Sequence, residues 1–238
     1  RSDGGEVLAA ARKIADEFGL IKDGWNGFNV LHRAAARVGG LDLGLLPSKD
    51  GRDVAGILGG AAAGEIDLVY LLGADEIEAS KLGQAFVVYQ GHHGDAGAHR
   101  ADVILPGAAY TEKNGTYVNT EGRVQRGWRA VFPPGDARED WTIIRALSDV
   151  LGCKLPYDNI SAVRKHMTEA NKSFECLDEA PSENWDKFGS DGSLGDAPFE
   201  SPVDNFYMTD PISRASETMA ECTRVVLGRN TSRTGTDG

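Results

Sequence analysis

Asp67-Leu68-Val69-Tyr70-Leu71-Leu72-Gly73 and Ala85-Phe86-Val87-Val88-Tyr89-Gln90 are short apolar runs without polar alternation. A strand with one face in water alternates; a strand covered on both faces does not. Both runs therefore read as strands buried on both sides. Ala101-Asp102-Val103-Ile104-Leu105-Pro106 is similar and stops at proline. Helical patterns surround them. Val7, Ala11, Ile14 and Phe18 recur at spacings of four, three and four, with Gly19 as a stop. That spacing predicts an amphipathic helix, and Asp3 is placed to cap it. Phe28, Leu31, Ala35 and Val38 predict a second helix closed by Gly39-Gly40. A small-residue helix is expected from Asp53 to Ala63. Helices around short buried strands imply an α/β fold, an open and mostly parallel sheet flanked by helices.

The character changes after Pro106. Asn114-Gly115 and Glu121-Gly122 are turn signals around Thr116-Tyr117-Val118-Asn119, a stretch of strand composition. Val124 to Phe132 is its expected partner, and Pro133-Pro134-Gly135 closes this small β-rich excursion. Asp136 is expected to open a helix with Trp141, Ile144, Leu147 and Leu151 on one face and Gly152 as its stop. From about 175 to 205 the chain is rich in Ser, Asp, Pro, Gly and Glu, which predicts an extended surface segment with little core. Asp210 and Pro211 then start a last helix, with Ile212, Ala215, Met219, Cys222 and Val226 as one stripe. A polar tail after Gly228 is expected to be disordered. The expected division is an α/β domain over 1–174, then an extended segment, terminal helix and polar tail over 175–238.

Composition excludes several function classes. The chain has 36 acidic and 25 basic residues, a formal net charge of −11. Such a surface repels phosphate backbones and anionic lipid, so no nucleic acid and no lipid surface is expected as partner. Three Cys, at 153, 176 and 222, are too few and too scattered for a zinc ribbon or an iron–sulfur cluster. They read as reduced structural thiols. The longest stretch free of Asp, Glu, Lys and Arg is Leu82–Gly94, 13 residues. A membrane helix needs about 18. Position 1 is not Met, so a processed or truncated chain is expected.

Three motifs are weighed for chemistry. Gly59-Gly60-Ala61-Ala62-Ala63-Gly64 has the glycine spacing of a phosphate loop. Glu65 follows where such a loop carries Lys, so close helix packing is the expected role. Gln90-Gly91-His92-His93-Gly94-Asp95-Ala96-Gly97-Ala98-His99 concentrates three of the five His residues. It leaves the carboxyl end of a buried strand, where α/β folds place ligand crevices. A metal held by His92, His93 and His99 is conceivable, but neighbouring loop side chains seldom converge on one ion. The expectation is a structural loop, bent by its glycines and anchored by His92, His93 or Asp95. Glu112, Asn119, Glu121 and Arg123 flank the hairpin. They show no oriented nucleophile or base and are expected to form a buried Glu–Arg–Asn network.

Gln90 to Gln125 carries a resemblance. Ala101-Asp102-Val103-Ile104-Leu105-Pro106, continued by Glu112-Lys113-Asn114-Gly115-Thr116-Tyr117-Val118-Asn119-Thr120-Glu121-Gly122-Arg123-Val124-Gln125, resembles molybdopterin oxidoreductases in general. Tyr89-Gln90-Gly91-His92-His93-Gly94-Asp95 is narrower and is similar to the largest iron–sulfur subunit of respiratory complex I. Gly135–Trp141 with Ile144–Leu147, and Asp204–Asp210 with Ser213–Ser216, agree. The likeness runs from near residue 1 to about 226 and is weakest across 159–203.

The resemblance implies a scaffold. That largest subunit has an amino-terminal part with iron–sulfur clusters and a carboxy-terminal part of molybdopterin-oxidoreductase-like fold, which in complex I holds no molybdenum cofactor. This chain matches the end of the latter. Hence no catalytic, cofactor-binding or metal residue is expected in it, and the iron–sulfur clusters are expected in the absent amino-terminal part or a partner chain. The implied role is structural, in the peripheral arm of a complex that passes electrons from NADH to ubiquinone coupled to proton pumping. The chain would support the cluster-bearing part and dock neighbouring subunits. Its implied place is the matrix side of the mitochondrial inner membrane, or the cytoplasmic side of a bacterial plasma membrane. A fragment of an active molybdopterin-dependent oxidoreductase is the alternative, and a free-standing binding module a third reading.

Overall fold

The computed structural model describes residues 2–32, 34–181, 185, 187–230 and 234. In chain order the elements are α1 (Gly4–Glu17), β1 (Ile21–Lys22), β2 (Trp25–Asn26), α2 (Arg37–Asp42), α3 (Val54–Ala62), β3 (Leu68–Leu72), β4 (Phe86–Gly91), α4 (Ala96–Arg100), β5 (Val103–Pro106), β6 (Gly115–Val118), β7 (Val124–Gly127), α5 (Asp140–Val150), α6 (Ile160–Ala170), α7 (Pro211–Arg214) and α8 (Glu217–Leu227). The chain divides into two compact units: residues 1–44, 116–125 and 168–202 form one, and 45–115, 126–167 and 203–238 the other.

The second unit holds the sheet. β3, β4 and β5 lie side by side in that order and both pairs are parallel, with Val69 opposite Val87, Leu71 opposite Tyr89, and Gln90 opposite Leu105. The three apolar runs are the three strands, but the expected burial on both faces is corrected: exposed and covered positions alternate along β3 and through most of β4, and β5 is largely exposed, because helices cover only one side. Val69, Leu71, Val87 and Tyr89 point to one face and are buried with Ala61, Leu82, Ala85 and Ala98, contributed by α3, the turn before β4 and α4. The opposite face carries Leu68, Leu72, Phe86 and Val103, all exposed. α3 begins where Asp53 accepts a hydrogen bond from Gly56 N, 2.8 Å, satisfying one of the orphan donors of the first turn. Arg100 fastens the start of the sheet: its Nη2 donates to Gly83 O at 3.0 Å and Ala85 O at 2.9 Å.

Further expectations are corrected in this unit. The helix after Pro133-Pro134-Gly135 starts at Asp140, with Glu139 as its N-cap, not at Asp136. Residues 136–138 are held in extended contact instead: Arg138 N donates to Pro106 O and Ala108 N to Arg138 O, a parallel bridge that prolongs β5. β7 is short, and beyond it Ala130 N and Val131 N both turn to Thr111 O. The last helix is two: Asp210 caps α7 in a capping box with Ser213, and Ser216 restarts the chain by capping Met219 N of α8. Its expected stripe is therefore broken, and Val226 is exposed.

The first unit joins the long helix α1 to short elements. α1 begins after Asp3 as expected, but that side chain makes no cap bond and accepts instead from Gly195 N, 2.8 Å. The expected stripe of α1 is also only partly covered, since Ile14 and Phe18 are exposed and Ala15 is the buried residue. Phe28 to Leu31 is not helical; α2 is a short helix that contains Gly39-Gly40 rather than ending there. Phe28 packs against Trp185 (ring centroids 5.3 Å) and Phe188 (5.7 Å). From Leu177 to Pro202 the described residues form no helix, and the segment is pinned by Asp178 N to Val124 O and Ser190 N to Gly5 O. Most of the polar tail after Gly228 lies outside the described residues.

Candidate functional site

The carboxyl ends of parallel strands are where an α/β sheet can hold a ligand, so the groups there decide the chemistry. Gln90, the penultimate residue of β4, is fully buried. Its Oε1 accepts from the Tyr70 hydroxyl of β3 at 2.5 Å. Its Nε2 donates to Asp140 Oδ1 at 3.0 Å, on the first turn of α5. The other oxygen of Asp140 takes the ammonium of Lys113. Strand β3, strand β4, helix α5 and the loop before β6 are thus joined by one polar chain. Burial, and then the negative charge of Asp140, push the Tyr70 phenol above its ordinary value, so it stays a donor. Gly107 completes the fit: a Cβ there would stand 2.9 Å from Asp140 Oδ1.

A second cluster surrounds Arg214, at the end of α7. Its Nε donates to Asp95 Oδ2 at 2.7 Å and its Nη1 to Glu76 Oε1 at 3.3 Å. Its Nη2 stands 3.6 Å from Asp75 Oδ2, a charge contact too long for a hydrogen bond, and neither atom has a hydrogen-bond partner. The Asp75 side chain is 1% exposed and that of Arg214 13%. Asp75 Oδ1 accepts from Gly97 N at 2.7 Å, and a Cβ on Gly97 would come within 2.9 Å of Ala74 O and Asp75 Oδ1. Burial works against the Arg214 charge, but Asp95 and Glu76 outweigh it and hold the guanidinium above its usual range. Tyr89, whose hydroxyl donates to His93 O at 3.0 Å, is pushed up to about 12 by burial and by the Asp75 charge.

The flagged histidines sit beside these clusters. His92 Nδ1 and His93 Nδ1 are 2.9 Å apart, one donating to the other. Burial, then the charges of His93 and Lys113, lower the basicity of His92. Among the described residues no three His, Cys, Asp or Glu side chains converge as a metal site. Asp95 anchors the loop, as predicted, through Arg214. The glycine-rich stretch at 59–64 closes α3 rather than holding phosphate: Gly64 adopts φ +73°, and Glu65 pairs with Arg52 at 2.8 Å. The expected Glu–Arg–Asn network is not one network and is not buried. Glu112 Oε2 caps Ala109 N, Asn119 Oδ1 accepts from Glu121 N and Arg123 N, and Arg123 turns to Glu121 and to the Asp178 carbonyl. Neither Arg214 nor the Tyr70–Gln90–Asp140–Lys113 chain was singled out from the sequence. The partners lie far apart along the chain, so no spacing signals them.

Comparison with known proteins matches residues 1–150 to the molybdopterin oxidoreductase family. The chain belongs to that family. Residues 177–222 of this molybdopterin oxidoreductase family member also match the carboxy-terminal region of the G subunit of NADH-ubiquinone oxidoreductase. It is 43% identical to the NADH-quinone oxidoreductase G subunit of Rickettsia conorii over 97% of its own length and 32% of the relative's. It is 50% identical to the mitochondrial NADH-ubiquinone oxidoreductase 78 kDa subunit of Candida albicans, over 83% and 28%. It is 44% identical to the mitochondrial NADH dehydrogenase (ubiquinone) iron-sulfur protein 1 of Solanum tuberosum, over 95% and 30%. The chain spans about a third of the length of the curated relatives it matches. Among the described residues no helix is long and apolar enough to cross a membrane.

Molybdopterin is a pterin with a phosphate tail, and such an anion needs uncompensated cations or free backbone N–H groups. At the ends of β3–β5, Lys113 is paired with Asp140 and Arg214 with Asp75, Glu76 and Asp95. The first unit contains a cavity of about 730 Å³ lined by Trp185, Phe188 and Asn171, but its charged walls are Asp42 and Glu121. Among the described residues, the groups at these two places do not fit the pterin.

Proposed function

We propose that this chain is a structural part of the peripheral arm of respiratory complex I, the assembly that passes electrons from NADH to ubiquinone coupled to proton pumping. It supports the iron–sulfur-bearing part of the subunit, docks neighbouring subunits and has no catalytic centre of its own. The observation that carries this reading is the neutralisation of Lys113 and Arg214. These two cations, beside the carboxyl ends of the strands, are held by carboxylates of the same chain, so they fix the fold rather than face a substrate. The names of the relatives support the assembly. Cluster ligation belongs outside this chain, because four thiolates are needed and three Cys are present, at 153, 176 and 222, all free. On this reading residues 1–174 are the molybdopterin-oxidoreductase-like body, and 175–238 reach over neighbouring surfaces. The chain sits on the matrix side of the mitochondrial inner membrane, or at the cytoplasmic face of a bacterial plasma membrane.

The test is a tagged chain recovered in its native assembly. Mass spectrometry should find other complex I subunits with it, and NADH:quinone activity should reside in the assembly. Iron, acid-labile sulfide, molybdenum and pterin measured on the isolated chain should be near zero. Stoichiometric molybdenum with pterin would establish the rival reading, a fragment of an active molybdopterin-dependent oxidoreductase.

A further inference from the structure

The loop after β7 combines features found together nowhere else among the described residues. Trp128 is 68% exposed and Phe132 78%. Arg129 lies over the Phe132 ring at 4.4 Å and Arg164 of α6 over the Trp128 ring at 5.9 Å. Arg126, Arg129 and Arg164 form no ion pair among the described residues. The Arg164 Nε is buried without a hydrogen-bond partner, and its Nη2 reaches only Gly115 O at 3.4 Å. From 126 to 135 there is no acidic residue, in a chain with 36 acids against 25 bases. The loop is also fixed in place. Ala130 N and Val131 N donate to Thr111 O, and Arg129 N to Asn114 Oδ1 at 3.3 Å.

We infer that Arg126, Trp128, Arg129, Phe132 and Arg164 form a docking surface for an acidic segment of another polypeptide. This rests on the reading of the chain as an assembly component and names the chemistry of one of its contacts. Large aromatic side chains and Arg are the residue types that dominate interface energetics, and a held loop loses little entropy on docking. Uncompensated guanidinium groups select carboxylates, with bidentate geometry available to Arg129 and Arg126. The sign argues for a local partner: the rest of the chain is acidic and repels an extended polyanion such as a nucleic acid or an anionic bilayer, whereas a short acidic segment meets only the patch. Burial and the neighbouring Arg126 charge lower the Arg164 pKa, against the opposing charge of Glu139.

A photo-crosslinking residue in place of Phe132, in the chain expressed in its own cells and purified in its assembly, tests this. Polypeptide composition of the same material is read separately and judges the assembly reading. The cross-link should map to a segment of a different polypeptide rich in Asp and Glu, and its yield should fall as salt rises. Arg126→Glu with Arg129→Glu should cut the yield about tenfold, the effect of losing close interfacial charge pairs, and Lys in place of the mapped acids should restore it. The salt series on chain with both arginines intact guards against a variant that fails to fold. Cross-links to a second copy, to lipid or to nucleic acid, a salt-independent yield, or no cross-link would overturn the inference.

Discussion

Arg214 Nε and Asp95 Oδ2 are separated by 119 positions in the sequence and by 2.7 Å in space. The bond ties the start of α4, behind β4, to the end of α7. Asp75 and Glu76, which follow β3, meet the same guanidinium. One cation therefore holds the exits of two strands against a helix from the far end of the chain. Asp75 is buried, and the Arg214 charge compensates it together with the Gly97 N–H.

Arg214→Met should destabilise the second unit by about 3 kcal/mol, because it leaves buried carboxylates uncompensated. Arg214→Lys keeps the charge but not the fork and should lose less. Urea unfolding of the chain measures both. A loss for the Met variant below about 1 kcal/mol, the level of an exposed pair, would show that the cluster is solvated.

Two glycines should respond in opposite directions to alanine. Gly59 is an exposed helical residue of α3 with nothing within 4 Å of an added Cβ, so Gly59→Ala should stabilise by about 0.5 to 1 kcal/mol. Gly83 has φ +56° and ψ −131°, and its Cβ would stand 2.6 Å from Ala61 O. Gly83→Ala should cost about 2 kcal/mol or more. Thermal midpoints that move the same way for both would contradict this account.

Alkaline pH should weaken the fold through Tyr89. Its folded value is about 12 against an ordinary 10.0, so the native state keeps the phenolic proton that the unfolded chain gives up. The contribution is complete below the unfolded value and is lost as pH rises from there through about 12. Stability measured over that window should fall with a steeper slope in the native chain than in Tyr89→Phe. Tyrosinate absorbance should show late-titrating phenols, and the latest of them should disappear in the variant while the raised Tyr70 remains.

His92→Ala combined with His93→Ala removes the Nδ1–Nδ1 bond and should lower stability by about 1 kcal/mol, with zinc and iron content unchanged. Stoichiometric metal in the parent that vanishes in the double variant would assign the loop to metal binding instead.

The legible parts of the fold were those written in contiguous residues. The strands were readable because Leu68–Leu72 and Phe86–Gln90 lack alternation. The stops at Gly19, Gly152 and Gly228 were readable because each adopts positive φ. What failed was decided by distant partners. Phe28 sits on a helical period, yet Trp185 and Phe188 take its ring and the backbone there is not helical. Asp136 is a good cap residue, yet its neighbour Arg138 is drawn into a bridge with Gly107. Ser216 divides the last helix because its hydroxyl meets Met219 N, a competition invisible in a stripe of apolar positions. The same reason hid the polar clusters. Lys113 and Asp140, or Asp75 and Arg214, share no register that a period could reveal.

The sheet sets a condition on how this chain can be made. Among the described residues β3 pairs with β4 alone, the outer edge of β5 meets only the Arg138 bridge at its end, and Leu68, Leu72, Phe86 and Val103 lie exposed on one face. Open edges beside apolar surface pair readily with copies of themselves. Self-encounter is second order in chain whose sheet is uncovered, so losses to self-pairing grow with the square of its concentration. Dilution, more than the strength of the native contacts, then fixes how much of the chain stays free of self-pairing.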